Sequence, residues 1–206
     1  AEACAAEARD LGVSARTVGA DLSTDAGVEA LMGALREGPG LDVLVHSASL
    51  YGPSPAPSAE EALRHYRVNA VAPLLLSTGL ADRLGASGLA GGGAIVCMSD
   101  IHVLGRPRKG FTAYSMSKAA LGQMVECLAR DLAPKVRVNA VAPGVVAFPQ
   151  TGYESDEAMQ KAYLSRVPLA RSGTPEDAAK AVAFLALDAQ YTTGTTLRVD
   201  GGRWLS

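Results

Sequence analysis

The sequence predicts a doubly wound α/β domain, in which helices cover both faces of a parallel sheet. Apolar, β-branched runs alternate along the chain with longer segments of helical pattern. The runs LDVLVHS (41–47) and GAIVCMS (93–99) are continuous, as expected of strands buried on both faces. Helices of ten or more residues between such strands favour right-handed crossovers and parallel pairing. The 206 residues suffice for one domain, 1–206.

The first half of the chain gives a helix, a short strand and a second helix ahead of strand 41–47. Their bounds are 1–11, ended by Gly12, then Ala15–Ala20, then about Thr24 to Glu37. The proline-rich stretch 51–58 is a loop. Ser58 followed by Glu61 has the pattern of a capping box, which opens a helical region with a break near Pro73.

The second half contains strand 93–99, a long helix over 111–132, and a strand and turn over 135–144. Thr174-Pro175 with Asp177 marks the start of another helix, because threonine caps it and proline suits its first position. TTLRVDGG (195–202) gives the last strand and turn.

One expected feature of such folds is absent from the sequence. No glycine-rich turn follows an apolar strand to receive a dinucleotide, and Gly91-Gly92-Gly93 precedes a strand rather than following one. The chain opens directly on a helix. We therefore expect that a first strand–turn–helix–strand unit, on the order of 35 to 45 residues, is missing from this sequence.

Composition excludes several classes of function. The formal net charge of −2, without a lysine or arginine block, argues against nucleic acid as a partner. No apolar run reaches the ~18 residues of a membrane helix, and the start lacks the features of a signal peptide. Cys4, Cys97 and Cys127 are too widely spaced for a disulfide framework or a metal site. We expect a cytoplasmic protein without a metal.

Tyr114 and Lys118 are the first candidate for chemistry. Residues at i and i+4 share one face of a helix, so the two side chains can enter the same cleft. An ammonium close to a phenol favours the phenolate, and Lys118 is therefore expected to lower the pKa of Tyr114. The pair follows strand 93–99, and ligand sites of parallel sheets form at the carboxyl ends of strands.

Several stretches together resemble the short-chain dehydrogenase/reductases. They are ADLS (20–23), VLVHSAS (43–49), RVNAVAP (67–73), YSMSK (114–118), RVNAVAPG (137–144) and VDGG (199–202), in the order and spacing of that family. The resemblance implies a Rossmann-type fold, a nicotinamide cofactor and a homotetramer built on the helices near 60–84 and 111–132. The glycine-rich turn of the family is the part that this sequence lacks.

The resemblance also implies roles for individual residues. Tyr114 would be the catalytic acid/base, Lys118 would hold the nicotinamide ribose, and Asn69 would tie a water-linked proton relay to the lysine. The implied cofactor-binding residues are Asp21, Leu22, Ser47, Ala48, Ser49, Tyr114, Lys118, Pro143, Gly144 and Val145. His46 stands where the family more often has asparagine, and we expect a structural or cofactor-adjacent histidine rather than a metal ligand.

The partner of Tyr114 decides between substrates. In most of the family a serine lies about thirteen residues before the tyrosine, but here that position is Ile101. Aligning the strand endings puts Asp100 on the catalytic serine and Ser99 one place too early, with one residue inserted in the loop. An aspartate at this position resembles the pteridine reductases and dihydromonapterin reductases. That branch implies NADPH-dependent reduction of a pterin.

The same resemblance implies that Tyr51 stacks on the pterin, and that Ser49, Asp100 and Tyr114 contact it. A tyrosine packing on its neighbouring prolines is the alternative for Tyr51. Residues 145–168, with Phe148, Tyr153 and Met159, would form a substrate lid. Two other functions stay open, namely reduction of another carbonyl such as a 3-oxoacyl thioester, and a catalytically silent member of the family. The residues that separate NADPH from NADH would lie in the missing segment.

Overall fold

The computed structural model describes residues 1–38, 40–148, 150 and 155–206. The strands are β1 (Val43–His46), β2 (Gly93–Met98), β3 (Val136–Pro143) and β4 (Thr196–Val199). The α-helices are α1 (Glu2–Asp10), α2 (Asp25–Arg36), α3 (Ala59–Tyr66), α4 (Ala72–Gly79), α5 (Ala81–Gly85), α6 (Thr112–Asp131), α7 (Glu157–Leu164) and α8 (Pro175–Ala183). Within the described ranges, no helix is both long and apolar enough to cross a membrane.

The four strands form one sheet in the order β1-β2-β3-β4, and every neighbouring pair is parallel. Helices pack on both faces, which confirms the predicted doubly wound architecture. Side chains of successive residues alternate between the faces because strand geometry has a period of two. One face of the sheet buries Ile95 and Val138 against Leu121 and Val125 of α6, and the other buries Val96 and Val141 against Leu185.

The predicted strand at Ala15–Ala20 is wrong, because these residues form no strand in the structure. A strand requires a neighbour to pair with its backbone groups, and among the described residues β1 pairs only with β2. The segment is tied instead to the helices beside it. Arg9 donates to the carbonyl of Ala15 at 3.0 Å, and Arg16 donates to the carbonyl of Ala34 at 2.7 Å.

The helical region after the proline-rich loop is interrupted before Pro73 rather than at it. A π-helical turn spans Arg67–Val71 between α3 and α4, and Pro73 lies at the start of α4. Such turns insert one residue into a helix and often occur at functional sites. Only half of the predicted capping box forms at Ser58. Its hydroxyl accepts from the Glu61 N–H at 3.1 Å, whereas the Glu61 carboxylate accepts from Ser54.

A buried arginine anchors β3 to the far face of the sheet. Arg137 is 6% exposed and donates to the carbonyls of Leu185, Ala186 and Ala189, at 2.6 to 3.0 Å. These carbonyls lie in or just after the π-helical turn Phe184–Asp188 that follows α8. An arginine can satisfy several carbonyls at once because its guanidinium carries five N–H donors. The contact holds the last helix against the strand that forms one wall of the site.

His46, at the carboxyl end of β1, is a structural histidine. It is 8% exposed, and its Nε2 lies 2.8 Å from the Ser77 hydroxyl of α4. Burial lowers the pKa of His46 to about 4, because the charged imidazolium is poorly solvated there. His46 is therefore neutral in the folded protein at ordinary pH.

This lowered pKa predicts a pH-dependent stability. The unfolded chain, with a histidine pKa of about 6.5, binds the His46 proton between pH 6.5 and 4 while the folded chain does not. The free energy of unfolding should therefore fall as the pH falls through this window, by about 3 kcal/mol from His46 alone. Denaturant unfolding at several pH values measures this effect. His46→Asn should remove this part of the slope, and parallel curves for the two proteins would refute the assignment.

Candidate functional site

A cavity of about 930 Å³ opens at the carboxyl ends of β1, β2 and β3. This is the edge at which parallel sheets bind ligands. Residues from both halves of the chain line it, namely Ser47, Ser49, Tyr51, Met98, Ser99, Asp100, His102, Arg106, Pro107, Arg108, Tyr114, Lys118, Pro143, Gly144, Val145, Val146, Ala147, Phe148, Met159, Gln160, Ala162, Tyr163, Arg166 and Arg203. Most of the residues predicted for the site therefore share one cavity.

Asp100, rather than Ser99, is the residue paired with Tyr114. The Tyr114 hydroxyl donates to Asp100 Oδ2 at 2.8 Å. The other carboxylate oxygen, Oδ1, accepts from the His102 N–H at 2.7 Å and caps a 3₁₀ turn over Ile101–Leu104. Ser99 also lines the cavity, and its backbone N–H donates to the Val141 carbonyl at 2.7 Å. The short helix cap thus fixes the orientation of the carboxylate that meets the phenol.

The pKa of Tyr114 is raised in this structure, contrary to the predicted lowering by Lys118. Burial is the main cause, followed by the negative charge of Asp100 and the hydrogen bond to it. A phenolate beside a carboxylate would bring two negative charges together in a poorly solvated place. Tyr114 is therefore a protonated phenol across the ordinary pH range, and the arrangement can donate a proton rather than accept one.

Lys118 is buried at the end of β2, with 3% of its surface exposed. Its Nζ donates to the carbonyl of Met98 at 2.7 Å, which fixes helix α6 to the strand. An ammonium has three donors, and this is its one recorded hydrogen bond among the described residues. Burial lowers the pKa of Lys118 to about 8, against a smaller opposing effect of Asp100. The remaining N–H groups suit a ligand with hydroxyl acceptors, such as a ribose.

Asn69 lies behind the cavity rather than in its lining. It sits in the π-helical turn and is 1% exposed. Its Oδ1 accepts from the Leu50 N–H at 2.7 Å, and its Nδ2 donates to the Leu50 carbonyl and to the Ser117 hydroxyl, each at 2.9 Å. The side chain thus holds the loop after β1 against α6. Its predicted part in a water-linked relay stays a prediction.

The residues predicted to bind the cofactor divide into two groups. Ser47, Ser49, Tyr114, Lys118, Pro143, Gly144 and Val145 line the cavity, whereas Asp21, Leu22 and Ala48 do not. The Asp21 carboxylate accepts from the N–H and the hydroxyl of Ser23, at 2.9 and 2.7 Å. Leu22 packs beside Val28 and Leu76. The hydroxyls and the under-used Lys118 ammonium fit the ribose and carboxamide of a nicotinamide, which would be bound at the strand ends.

Aromatic side chains form one wall beside Tyr114. The Tyr51 ring meets the Tyr114 ring edge-on at 5.0 Å between centroids, and it lies 5.3 Å from Phe111. Arg108 donates to the Tyr51 hydroxyl and places its guanidinium 4.4 Å from the centre of the Phe111 ring. Tyr51 is 47% exposed. This wall suits a flat, aromatic ligand.

Sequence patterns did not single out Tyr163 and the arginines that also line the cavity. The hydroxyl of Tyr163, in α7, accepts from the Val145 N–H at 3.3 Å. The centre of the Tyr163 ring lies 6.0 Å from the centre of the Phe148 ring. Arg106, Arg166 and Arg203 come from three separate segments. Arg106 donates to the carbonyl of Trp204 at 3.1 Å. A weak signal was available, since Arg203 directly follows the VDGG turn.

The segment predicted as a lid is described in part. Phe148 and Met159 line the cavity, and helix α7 occupies the second half of the range 145–168. Tyr153 lies outside the described residues, as do 149, 151, 152 and 154. Among the described residues no group of three metal-ligating side chains exists. Lid closure stays a prediction.

Known proteins and a protein-family model are similar to most of the chain. A family model described as enoyl-(acyl carrier protein) reductase matches residues 1–203. Protein FixR of Bradyrhizobium diazoefficiens is 40% identical over 151 residues, which cover 72% of this chain and 51% of that protein. Glucose 1-dehydrogenase 2 of Bacillus subtilis is 34% identical over 200 residues, or 94% of this chain and 76% of that protein.

A solved protein structure superimposes on the whole of this chain. Acetoin dehydrogenase YohF of Salmonella typhimurium is 30% identical and superimposes with a TM-score of 0.85, covering 100% of this chain and 82% of that chain. The chain thus spans about half the length of FixR and about three quarters or more of the other two proteins.

The lowered pKa of Lys118 predicts an alkaline limit to activity. Because the pKa is about 8, the ammonium form declines above that pH, and kcat/KM should decline with it. Measuring kcat/KM of the full-length protein from pH 6 to 10 tests this. Lys118→Arg keeps its charge over the whole range and should lose the alkaline limb, whatever its absolute rate. An identical limb in both proteins would assign the titration to another group.

Proposed function

The chain belongs to the short-chain dehydrogenase/reductase family of oxidoreductases, which use NAD or NADP, and we propose that it reduces a dihydropterin to a tetrahydropterin with NADPH. The observation that carries this proposal is the 2.8 Å hydrogen bond between Tyr114 and the carboxylate of Asp100. That carboxylate occupies the position at which most of the family has a serine hydroxyl.

The charge of Asp100 suits a pterin better than a ketone. A ketone develops negative charge on oxygen during reduction, and the site then needs hydrogen-bond donors. An ionised carboxylate only accepts hydrogen bonds, and its charge opposes a nearby alkoxide. A pterin carries N–H donors close to its C=N bond. Asp100 can accept from such a donor while the Tyr114 phenol faces the ring nitrogen that must gain a proton.

The residues of the site have different roles in the proposed reaction. NADPH supplies the hydride when bound, with its ribose held by Lys118. Tyr114 gives its proton to the ring nitrogen next to the carbon that receives the hydride. The Tyr114 hydroxyl is hydrogen-bonded to Asp100. Tyr114 therefore regains its proton through a relay that the carboxylate, the phenol and water share. The raised pKa of Tyr114 keeps the phenol protonated before the reaction.

The aromatic wall supports the same substrate class. Tyr51 and Phe111 lie beside Tyr114 and leave part of the Tyr51 ring exposed to the cavity. A planar heterocycle can pack on such a surface with favourable geometry, whereas a small aliphatic ketone gains less from it. We propose that Tyr51 contacts the flat face of the pterin.

Reduction of another carbonyl is the second candidate, and the comparisons favour it. Two of the similar proteins are named for enzymes that act on a hydroxyl or carbonyl group, namely glucose 1-dehydrogenase 2 and acetoin dehydrogenase. In this alternative a 3-oxoacyl thioester or a similar ketone would bind beside Tyr114, and Ser99, which also lines the cavity, could approach it.

We also propose a homotetramer in the cytoplasm. Large apolar side chains on α3, α4 and α6 are exposed, among them Leu63 at 58% and Met116 at 65%. Exposed apolar groups that are contiguous mark interaction surfaces. These helices are the ones through which the family resemblance implies assembly.

The pterin proposal predicts a substrate preference that depends on Asp100. The full-length protein should oxidise NADPH when given dihydrobiopterin or dihydromonapterin, followed by absorbance. Asp100→Ser should reduce kcat/KM for the pterin at least about tenfold, whereas Ser99→Ala should have a smaller effect. Tyr114→Phe should lower activity about 100-fold or more, because the proton donor is removed.

Three outcomes would contradict the proposal. Turnover with ketones but with no pterin would favour the second candidate. Intact pterin reduction by the Asp100→Ser protein would show that this carboxylate does not select the substrate. Wild-type activity of Tyr114→Phe would overturn the assignment of the site as a whole.

A further inference from the structure

The charge of the cavity differs from that of the chain. Acidic residues outnumber basic ones in the sequence, 21 to 19. Among the described residues that line the cavity, however, Asp100 is the one carboxylate, and the cationic residues number five, namely Arg106, Arg108, Lys118, Arg166 and Arg203. Lys118 and Asp100 belong to the reacting end. Arg108 packs on the aromatic wall beside Tyr114, and Arg106, Arg166 and Arg203 are the remaining cations.

Arg203 is the most deeply buried of these arginines. It is 6% exposed and packs its guanidinium 5.3 Å from the centre of the Tyr163 ring. Nη1 donates to the Ser206 carbonyl at 2.9 Å, and Nε has no hydrogen-bond partner among the described residues. Most of its five N–H donors are thus unused by the part of the chain that the structure describes. A buried charge without a partner is costly, so the arrangement calls for an anion.

Arg106 and Arg166 join Arg203 through the C-terminal turn. The Nε of Arg106 donates to the Trp204 carbonyl, and the Ser206 hydroxyl donates to the Arg166 carbonyl. Both arginines lower the pKa of Arg203 by their positive charge, after the larger effect of burial. Arg106 and Arg166 are therefore each close enough to Arg203 to repel its charge.

No described carboxylate relieves this repulsion by an ion pair. The ion pairs between described residues join Arg9 to Glu2, Arg67 to Asp25 and Arg171 to Asp177. Asp200 is near Arg203, but its two carboxylate oxygens accept from the backbone N–H groups of Gly202 and Trp204, at 3.0 and 2.8 Å. Within the described ranges, no carboxylate therefore forms an ion pair with these arginines, and their positive charge suits an anionic ligand.

We propose that Arg203, Arg106 and Arg166 form an anion-binding subsite, and that the substrate carries a carboxylate or phosphate at a distance from the bond that is reduced. Guanidinium groups pair with both anions through two parallel hydrogen bonds. These arginines line the same cavity as the Asp100–Tyr114 pair, so the anionic group is an appendage that orients the substrate. This inference deepens the proposed function and rests on it only for the identity of the reacting group.

A matched pair of substrates tests the subsite. The pterin pair is dihydrofolate, which carries carboxylates, and dihydrobiopterin, which is neutral; the ketone pair is acetoacetate and its methyl ester. Sugar phosphate and free sugar supply the phosphate arm. Arg203→Gln should lower the ratio of kcat/KM for the anionic over the neutral member about 10- to 100-fold at constant ionic strength. Arg166→Gln, at an exposed position, should lower it in the same direction.

Arg171→Gln is the control, because it removes one positive charge from a surface ion pair outside the cavity. It should leave the ratio as it is in the wild type. An equal loss for both members of a pair in the Arg203→Gln and Arg166→Gln proteins would overturn the proposal, since it would show a structural role alone.

A binding measurement separates this inference from the proposed function. Inorganic phosphate and succinate should each raise the Tm of the wild-type full-length protein and of Arg171→Gln more than that of Arg203→Gln or Arg166→Gln. If no pterin or ketone is reduced but this difference is present, the subsite stands and the proposed function fails. Equal stabilisation of all four proteins by both anions would overturn the subsite.

Discussion

The register between β2 and β3 is the constraint on which the site depends. Met98 pairs with Val141, and the Ser99 N–H extends the ladder by donating to the Val141 carbonyl. The chain therefore leaves the sheet at Asp100 beside the Pro143-Gly144 turn. The bond from Lys118 to the Met98 carbonyl then sets the position of α6 along the same strand. A slip of one residue would turn every side chain of β2 to the other face and move Asp100 away from Tyr114.

Asp100 has two roles that support each other. One carboxylate oxygen caps the short helix after β2, and the other meets the phenol. The cap leaves the carboxylate little freedom, so the hydrogen-bond partner of the Tyr114 hydroxyl is already oriented before a substrate binds. The arginines that line the same cavity add positive charge, so the cavity combines a proton-relay pair with a surplus of cationic side chains.

Sequence reasoning succeeded where the determining interactions are local or periodic. The buried strands, the long helix α6 and the shared face of Tyr114 and Lys118 all follow from spacing along one element. Sequence reasoning failed where the structure depends on contacts between segments that are far apart in the sequence. The stretch 15–20 has β-forming residues but finds no partner strand, and the arginine cluster joins residues as far apart as Arg106 and Arg203. The direction of the Tyr114 pKa shift also depends on burial, which the position of Lys118 in the sequence does not reveal.

The C-terminal turn gives the molecule an optical probe. Trp204 is the one tryptophan in the sequence, and its ring lies so close to Gly105 that a side chain there would come within 2.9 Å of it. Its carbonyl binds Arg106, and the Arg198 guanidinium lies 5.2 Å from the ring centre. Its emission therefore arises from a single place, where the loop after β2 meets the turn after β4. Tryptophan fluorescence, excited selectively over that of the six tyrosines, reports on this junction, so a rearrangement there can be followed without an introduced dye.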